Sequence, residues 1–284
     1  MDALEISIDQ LLRTKAPKAY RFIPGFLIKL VAKIVHEKDI NKFLREHKDS
    51  YGIDFVNGAL QAMGAKVKIE GIENIPKTGG YIFAANHPLG GLDGLAIISS
   101  IAKVRSDIHF FVNELLLNLK NIDNILVPVN INGKNTRKML ETVDRIYGSD
   151  CAVPIFPAGL VSRRQADKTI KDLRWKKSFI TQAKHYQKDI IPIWAEGRNS
   201  NMFYNFAYWR KKLGIKTNIE MFLLPHEMFA QRDKHLILHF GKPVSFLTFI
   251  EPHTDAQWAE KFQDELYKKK ANVIKEPLFS STAK

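Results

Sequence analysis

His87 and Asp93 stand with five residues between them in the stretch Asn86-His87-Pro88-Leu89-Gly90-Gly91-Leu92-Asp93-Gly94. An imidazole takes up and releases a proton near neutral pH. A carboxylate on one ring nitrogen fixes the tautomer, and the other nitrogen can then draw a proton from a hydroxyl. The elements around the pair must hold it in that relation. An apolar run, Tyr81 to Ala85, leads into the stretch and reads as a short buried strand. A second run, Leu95 to Ile101, leaves it and reads as a helix with Asp93 as its N-cap. Gly90 and Gly91 permit a turn tight enough to return Asp93 towards His87. A lone His and Asp at this distance are more often surface-loop residues. Here Asn86, His87, Asp93 and three glycines crowd between two apolar elements, where α/β proteins place ligand sites.

From Val67 onward short apolar runs alternate with helical patterns. The expected strands are Lys66 to Glu70, Tyr81 to Ala85, Ile108 to Val112, Ile125 to Val129, Ala152 to Phe156, Ile190 to Trp194 and Leu236 to Phe240. Helix-like stretches such as Thr136 to Tyr147 and Lys177 to Gln187 lie between some of them. This rhythm predicts an α/β domain with a largely parallel central sheet flanked by helices. An N-terminal helical segment precedes it. The expected divisions are 1–65 for that segment, 66–250 for the α/β domain, and 251–284 for a last helix and polar tail. In the last helix Trp258, Phe262 and Leu266 recur at four-residue spacing, a packing stripe.

Two other stretches carry charge after a predicted strand. In the first, Phe156-Pro157-Ala158-Gly159 is followed by Ser162-Arg163-Arg164. A guanidinium grips phosphate or carboxylate through two parallel hydrogen bonds. In the second, Ile191-Pro192-Ile193-Trp194 runs on to Glu196-Gly197-Arg198-Asn199-Ser200. These polar residues either line a pocket or start the next helix. The aromatics Phe203, Tyr204, Phe206, Tyr208 and Trp209 come next, then Arg210-Lys211-Lys212. That order suits a water–lipid boundary, an acyl groove or a buried helix end. Residues 26 to 36 divide into an apolar stripe (Leu27, Leu30, Val31, Ile34, Val35) and a basic one (Lys29, Lys33, His36). Such a helix either packs on a core or lies in a membrane interface with its lysines near anionic headgroups.

The chain's 43 Lys and Arg against 30 Asp and Glu leave a net charge of +13, which calls for an anionic partner: nucleic acid, an acidic lipid surface, or an acidic carrier or substrate. The lone Cys151 cannot form an internal disulfide, which fits a reducing, cytoplasmic setting. The start, Met1-Asp2-Ala3-Leu4-Glu5, is acidic where a signal peptide is basic. No apolar run of about 18 residues is present to span a bilayer. Serine-hydrolase elbows, P-loops and dinucleotide fingerprints are absent. His235 and His239 share a strand face without a third ligand, so no metal is expected.

The first stretch, Asn86 to Gly94, resembles the first block of the glycerolipid and lysophospholipid acyltransferase superfamily. Its wide His–Asp spacing is similar to the branch of hemolysin-like and lyso-aminolipid O-acyltransferases. Val127-Pro128-Val129-Asn130 lies where that family has its second block. Phe156 to Arg164 resembles the third, and Ile191 to Ser200 the fourth. The resemblance spans about residues 70 to 245. It implies transfer of a fatty acyl chain from a thioester, acyl-carrier protein or acyl-CoA, to the hydroxyl of an anionic lyso-lipid in membrane lipid biosynthesis. His87 would act as base and Asp93 would orient it. Asn86, Gly90, Gly91, Gly159, Arg163, Arg164, Arg198 and Asn199 would line the substrate, with glycine N–H groups facing the oxyanion. No cofactor is implied. Ala158 stands where many members have Glu, and the arginines come late, which leaves room for an amino-acid lipid as acceptor. The enzyme would work peripherally on the inner face of the membrane, with no nucleic acid as partner. The rival is a non-catalytic binder of anionic lipid or nucleic acid living on the charge.

Overall fold

Strand Tyr81–Ala85 (β2) alternates its side chains between two cores, and the rest of the architecture follows from that. Phe83 and Ala85 join one apolar cluster, Ile82 and Ala84 another. A strand buried on both faces has no polar side, which is why it reads as an unbroken apolar run. The computed structural model describes residues 5–15, 17–113, 120–129, 136–215 and 218–279. Asn130 of the second block and the polar tail from Ser280 lie outside the described residues.

Five strands form the main sheet: Lys66–Glu70 (β1), β2, Ala152–Ile155 (β5), Ile190–Ala195 (β8) and His235–Phe240 (β9), in the order β1-β9-β8-β2-β5. β5, β2 and β8 run parallel. β9 is antiparallel to β8 and parallel to β1. Phe110–Asn113 (β3) and Leu126–Val129 (β4) pair parallel beside the sheet, and Ile108 bridges to Ala152. The sequence reading had not foreseen a small antiparallel hairpin, Arg163–Arg164 (β6) with Ile170–Lys171 (β7). Two-residue strands carry no periodicity to read.

Helices cover both faces. Gly52–Ala62 (α5) and Gly91–Ile101 (α6) bury Phe55, Val56, Ile97 and Ile101 against one side. Ser178–His185 (α8) and Asp255–Lys269 (α11) bury Phe179, Ile180, Trp258, Phe262 and Leu266 against the other. Each such side chain contributes ~1.5–3 kcal/mol of burial. A capping box starts α11: Thr254 Oγ1 accepts from Gln257 N, and Gln257 Oε1 accepts from Thr254 N. Arg137–Gly148 (α7) connects β4 to β5.

The N-terminal segment is helical as expected: Ile8–Lys15 (α1), Pro17–Tyr20 (α2), Gly25–Ile34 (α3) and Glu37–Glu46 (α4) precede α5. The apolar stripe read on α3 is split. Val35 is buried, packed with Ile8 and Ile28, whereas Leu30 is 49% and Leu27 38% exposed, beside Phe26 at 69%. His36 leaves the helix altogether. It adopts a left-handed conformation (φ 55°) and stacks on Phe229 at 4.2 Å, so it is no part of the basic stripe. Lys29 and Lys33 remain exposed.

Candidate active site

His87 follows the C-terminal end of β2, where ligands of open α/β sheets gather. Its Nδ1 lies 3.1 Å from Asp93 Oδ2. The acceptor is a carboxylate, so Nδ1 carries the proton and Nε2 presents a lone pair. Among the described residues Nε2 has no partner, and the side chain is 14% exposed. The ring stacks on Phe156 with 3.8 Å between centroids and 16° between planes. Orientation is therefore fixed by a hydrogen bond on one edge and an aromatic face on the other.

Asp93 is not the N-cap expected of it. Gly90 occupies that position, and Asp93 reaches back from the first turn of α6. Its Oδ2 accepts from Leu89 N at 2.7 Å and from Gly90 N at 3.1 Å as well as from His87. Those two main-chain donors pull the helix start forward to Gly91. Gly90 has φ 82°, and a Cβ there would meet Leu224 at 3.3 Å; a side chain would strain the turn that brings the pair together. Asp93 is fully buried. Burial pushes its carboxyl above the ordinary range, and the pull of His87 and the Leu89 N–H only partly offsets this.

The His87 peptide is itself clamped by Ser162 of the third block and by Asp172 beyond it. Its N–H points at both Asp172 oxygens, 3.2 Å from each. Its carbonyl accepts from Ser162 N at 2.8 Å. Neither Asp172 nor the stacking role of Phe156 was foreseen. Phe156 lay inside a recognised stretch as a strand end, but Asp172 is 85 residues from its partner, and no local pattern marks it.

The other expected site residues separate into distinct groups. Asn86 is a clamp: its Nδ2 donates to Ala195 O at 2.9 Å and its Oδ1 accepts from Ala195 N at 2.7 Å. It ties the first block to the fourth, with both atoms of its amide turned onto the Ala195 peptide. The Gly90 N–H serves Asp93, and the Gly159 N–H closes a turn onto Phe156 O at 2.9 Å. Gly91 opens α6, where first-turn N–H groups lack intrahelical partners. Arg163 is buried against Glu220, 2.9 Å away and fully enclosed, and lies over the Phe203 ring. Glu220 also holds Arg210, at 2.8 Å. Arg163 is thereby spent on the interior.

Arg164 and Arg198 behave differently. Arg164 donates to Asn205 Oδ1 and Arg198 to Asn201 Oδ1, both at 2.7 Å. Asn201 and Asn205 are four apart on Asn201–Lys212 (α9), so they share a face and set the two guanidiniums along one ridge. Their partners are neutral, and among the described residues neither arginine has a carboxylate. Both lie near the catalytic loop. Arg164 is two residues past Ser162, which bonds the His87 carbonyl. Arg198 follows Gly197 (φ 141°), where a Cβ would fall 2.7 Å from Leu89. Asn199 is buried, and neither atom of its amide has a partner among the described residues.

This arrangement is a base with a fixed tautomer, facing solvent, with two arginines on the segments that pack against its loop and hydrogen-bonded there to neutral partners. A family model described as Acyltransferase matches residues 10–281. The chain belongs to that family and is an acyltransferase. It is 45% identical over 264 residues to a lyso-glycine lipid O-acyltransferase of Bacteroides thetaiotaomicron, covering 93% of this chain and 97% of that one. It is 42% identical to another of the same name from Phocaeicola vulgatus, covering 93% and 94%. The crystal structure of a 1-acyl-sn-glycerophosphate (LPA) acyltransferase from Thermotoga maritima aligns at 16% identity with a TM-score of 0.45, over 92% of this chain and 94% of that one.

Proposed function

We propose that the protein moves a fatty acyl chain from a thioester to the hydroxyl of a lyso-lipid with a carboxylate head, a lyso-glycine lipid. The observation that carries this reading is the free Nε2 of an imidazole whose other nitrogen is fixed on Asp93. Nε2 takes the acceptor's hydroxyl proton as the oxygen attacks the thioester carbonyl. The tetrahedral intermediate collapses, the C–S bond breaks, and the imidazolium returns the proton to the leaving sulfur. Asp93 stabilises the imidazolium throughout. The N–H of Gly91, at the positive end of α6, suits the developing oxyanion. No acyl-enzyme is required. Arg164 and Arg198 take the acceptor's carboxylate, and the unpaired Asn199 amide supplies neutral hydrogen bonds. The donor is acyl-carrier protein or acyl-CoA, and neither needs a further cofactor.

Lyso-lipid and product both reside in a bilayer, so we assign the enzyme to the inner membrane face as a peripheral protein. Among the described residues no helix is long and apolar enough to cross a membrane. Two helices instead carry an apolar ridge in the open. On α3 it comprises Phe26, Leu27 and Leu30, with Phe22 beside it at 86% exposure. On α9 it comprises Met202, Phe206, Trp209 and, just past the end, Leu213 at 73%. The turn Ile219–Leu223 touches both helices and adds exposed Met221 and Phe222. An apolar band of this breadth on an otherwise charged protein supports a lipid contact.

The test is a transfer assay with acyl-CoA and acyl-carrier protein run in parallel, each against a lyso-glycine lipid and against lysophosphatidate. The glycine lipid should be acylated and lysophosphatidate should not. Purified His87→Ala should lose ~10²–10⁴-fold in rate while keeping its melting temperature. Near wild-type transfer by that variant refutes the base assignment, and preference for lysophosphatidate refutes the acceptor.

A further inference from the structure

Asp172 is enclosed by donors. Its Oδ1 accepts from Ser162 Oγ at 2.5 Å and its Oδ2 from the Trp175 indole N–H at 3.0 Å, and both oxygens face the His87 N–H. Every partner of this carboxylate gives it a hydrogen and none brings a positive charge. Its own N–H donates to Tyr267 Oη on α11 at 2.9 Å. The neighbouring Lys171 is turned away onto Asp264. A buried anion without a counter-charge is costly unless it does something that a neutral acceptor of the same shape cannot. The main-chain clamp alone needs no charge, since an amide oxygen can accept the His87 N–H equally well.

The geometry points to Asp172 as a positioning residue for His87, one that fixes the imidazole's main chain and places a second buried negative charge behind the dyad, where the imidazolium forms. Two anions then hold one histidine, Asp93 at the ring and Asp172 at the main-chain N–H, with Phe156 over the ring and Nε2 open. The two charges are close enough to be felt mutually: Asp93's carboxyl, raised chiefly by burial, is raised further by Asp172. When Nε2 takes a proton the new cation is bonded to Asp93 and belongs to the residue whose main-chain N–H Asp172 holds, and a second anion there favours the charged intermediate of the reaction over the neutral ground state. Ser162 and Trp175 orient Asp172 as Asp172 orients His87. They link the β6–β7 hairpin to the catalytic loop.

This inference rests on His87 being the base, and the experiment separates the two. The full-length enzyme is treated with diethyl pyrocarbonate across a pH series, and modification of the peptide bearing His87 is followed by mass spectrometry. No substrate is involved. In Asp172→Asn the pH midpoint of modification should fall by about one unit, because a nearby anion is lost. In the transfer assay the same variant should lose kcat by about tenfold or more with KM little changed, since the missing charge acts on the intermediate. A purely structural Asp172 would leave the midpoint where it is in folded protein, and that result overturns the proposal. Should Asp172→Asn fail to fold, Asp172→Ser is read in the same way. It removes the anion and keeps an oxygen in the chain next to the His87 N–H, so the midpoint should again fall. An unchanged midpoint there is equally fatal. Loss of transfer in His87→Ala is a separate question and decides only the base.

Discussion

Asp93 carries a stability cost in exchange for its role. A carboxyl raised by burial is destabilising once it ionises. The folded state holds its proton more tightly than the unfolded state, so stability falls as pH rises from the ordinary value of 3.8 through the folded one. Asp93→Asn removes the buried charge and keeps an oxygen for the Leu89 N–H. It should lose ~10²–10⁴-fold in transfer, because the amide no longer fixes the tautomer, without lowering the melting temperature at pH 7. A fall of more than about 5 °C would show the carboxylate to be net stabilising. Glu220 gives the opposite case. It sits fully buried between Arg163 and Arg210, and Glu220→Gln leaves the buried Arg163 guanidinium without its counter-charge. The expected loss is about 3–5 kcal/mol, a drop of roughly 10 °C by calorimetry. An unchanged melting temperature would mean that solvent reaches the arginines.

Helices α3 and α9 share one plan. At 100° per residue, each has a buried face, an exposed apolar ridge and a basic ridge next to it. On α3 the ridges are Phe26–Leu27–Leu30 and Lys29–Lys33, and on α9 they are Met202–Phe206–Trp209 and the side bearing Asn201, Asn205 and Lys212. The two kinds of ridge answer differently to salt. Phe206→Ser with Trp209→Ser should weaken co-sedimentation with anionic vesicles at any ionic strength. Lys29→Glu with Lys33→Glu should weaken it mainly at low salt, each lysine being worth roughly 1 kcal/mol near the surface. If both double variants bind like the wild type, the apolar band faces something other than lipid. The stripes of α3 were legible in the sequence, and on α9 only a run of aromatics followed by basic residues was. Which edge stays open was not, because that depends on partners such as Ile8 and Glu220, which are distant in sequence.

At the scale of the whole chain, the alternation of apolar runs and helical patterns disclosed the sheet, and the glycine-rich loop after β2 disclosed the dyad. Both signals are local. The reversal of β9 and the Asp172 clamp are pairings between distant segments, and the β6–β7 hairpin is too short to show a period, so sequence periodicity encodes none of them. The same holds for Arg163 and Arg164, adjacent in sequence yet one turned into the interior and the other out. In an extended pair neighbouring side chains point to opposite faces, so two arginines in a row were bound to differ once a hairpin was known.

β2 sends Ile82 and Ala84 into one core and Phe83 and Ala85 into the other, and it ends at the loop bearing the base. A chain that gained or lost one residue within Tyr81–Ala85 would exchange every side chain between the two cores. It would also shift His87 relative to the peptides that clamp it. Length variation is therefore forbidden in this strand, even where substitution of one apolar residue for another is tolerated. Leu213 to Ile215, exposed just past α9, are under no such constraint, and the chain can lengthen there without either core registering it.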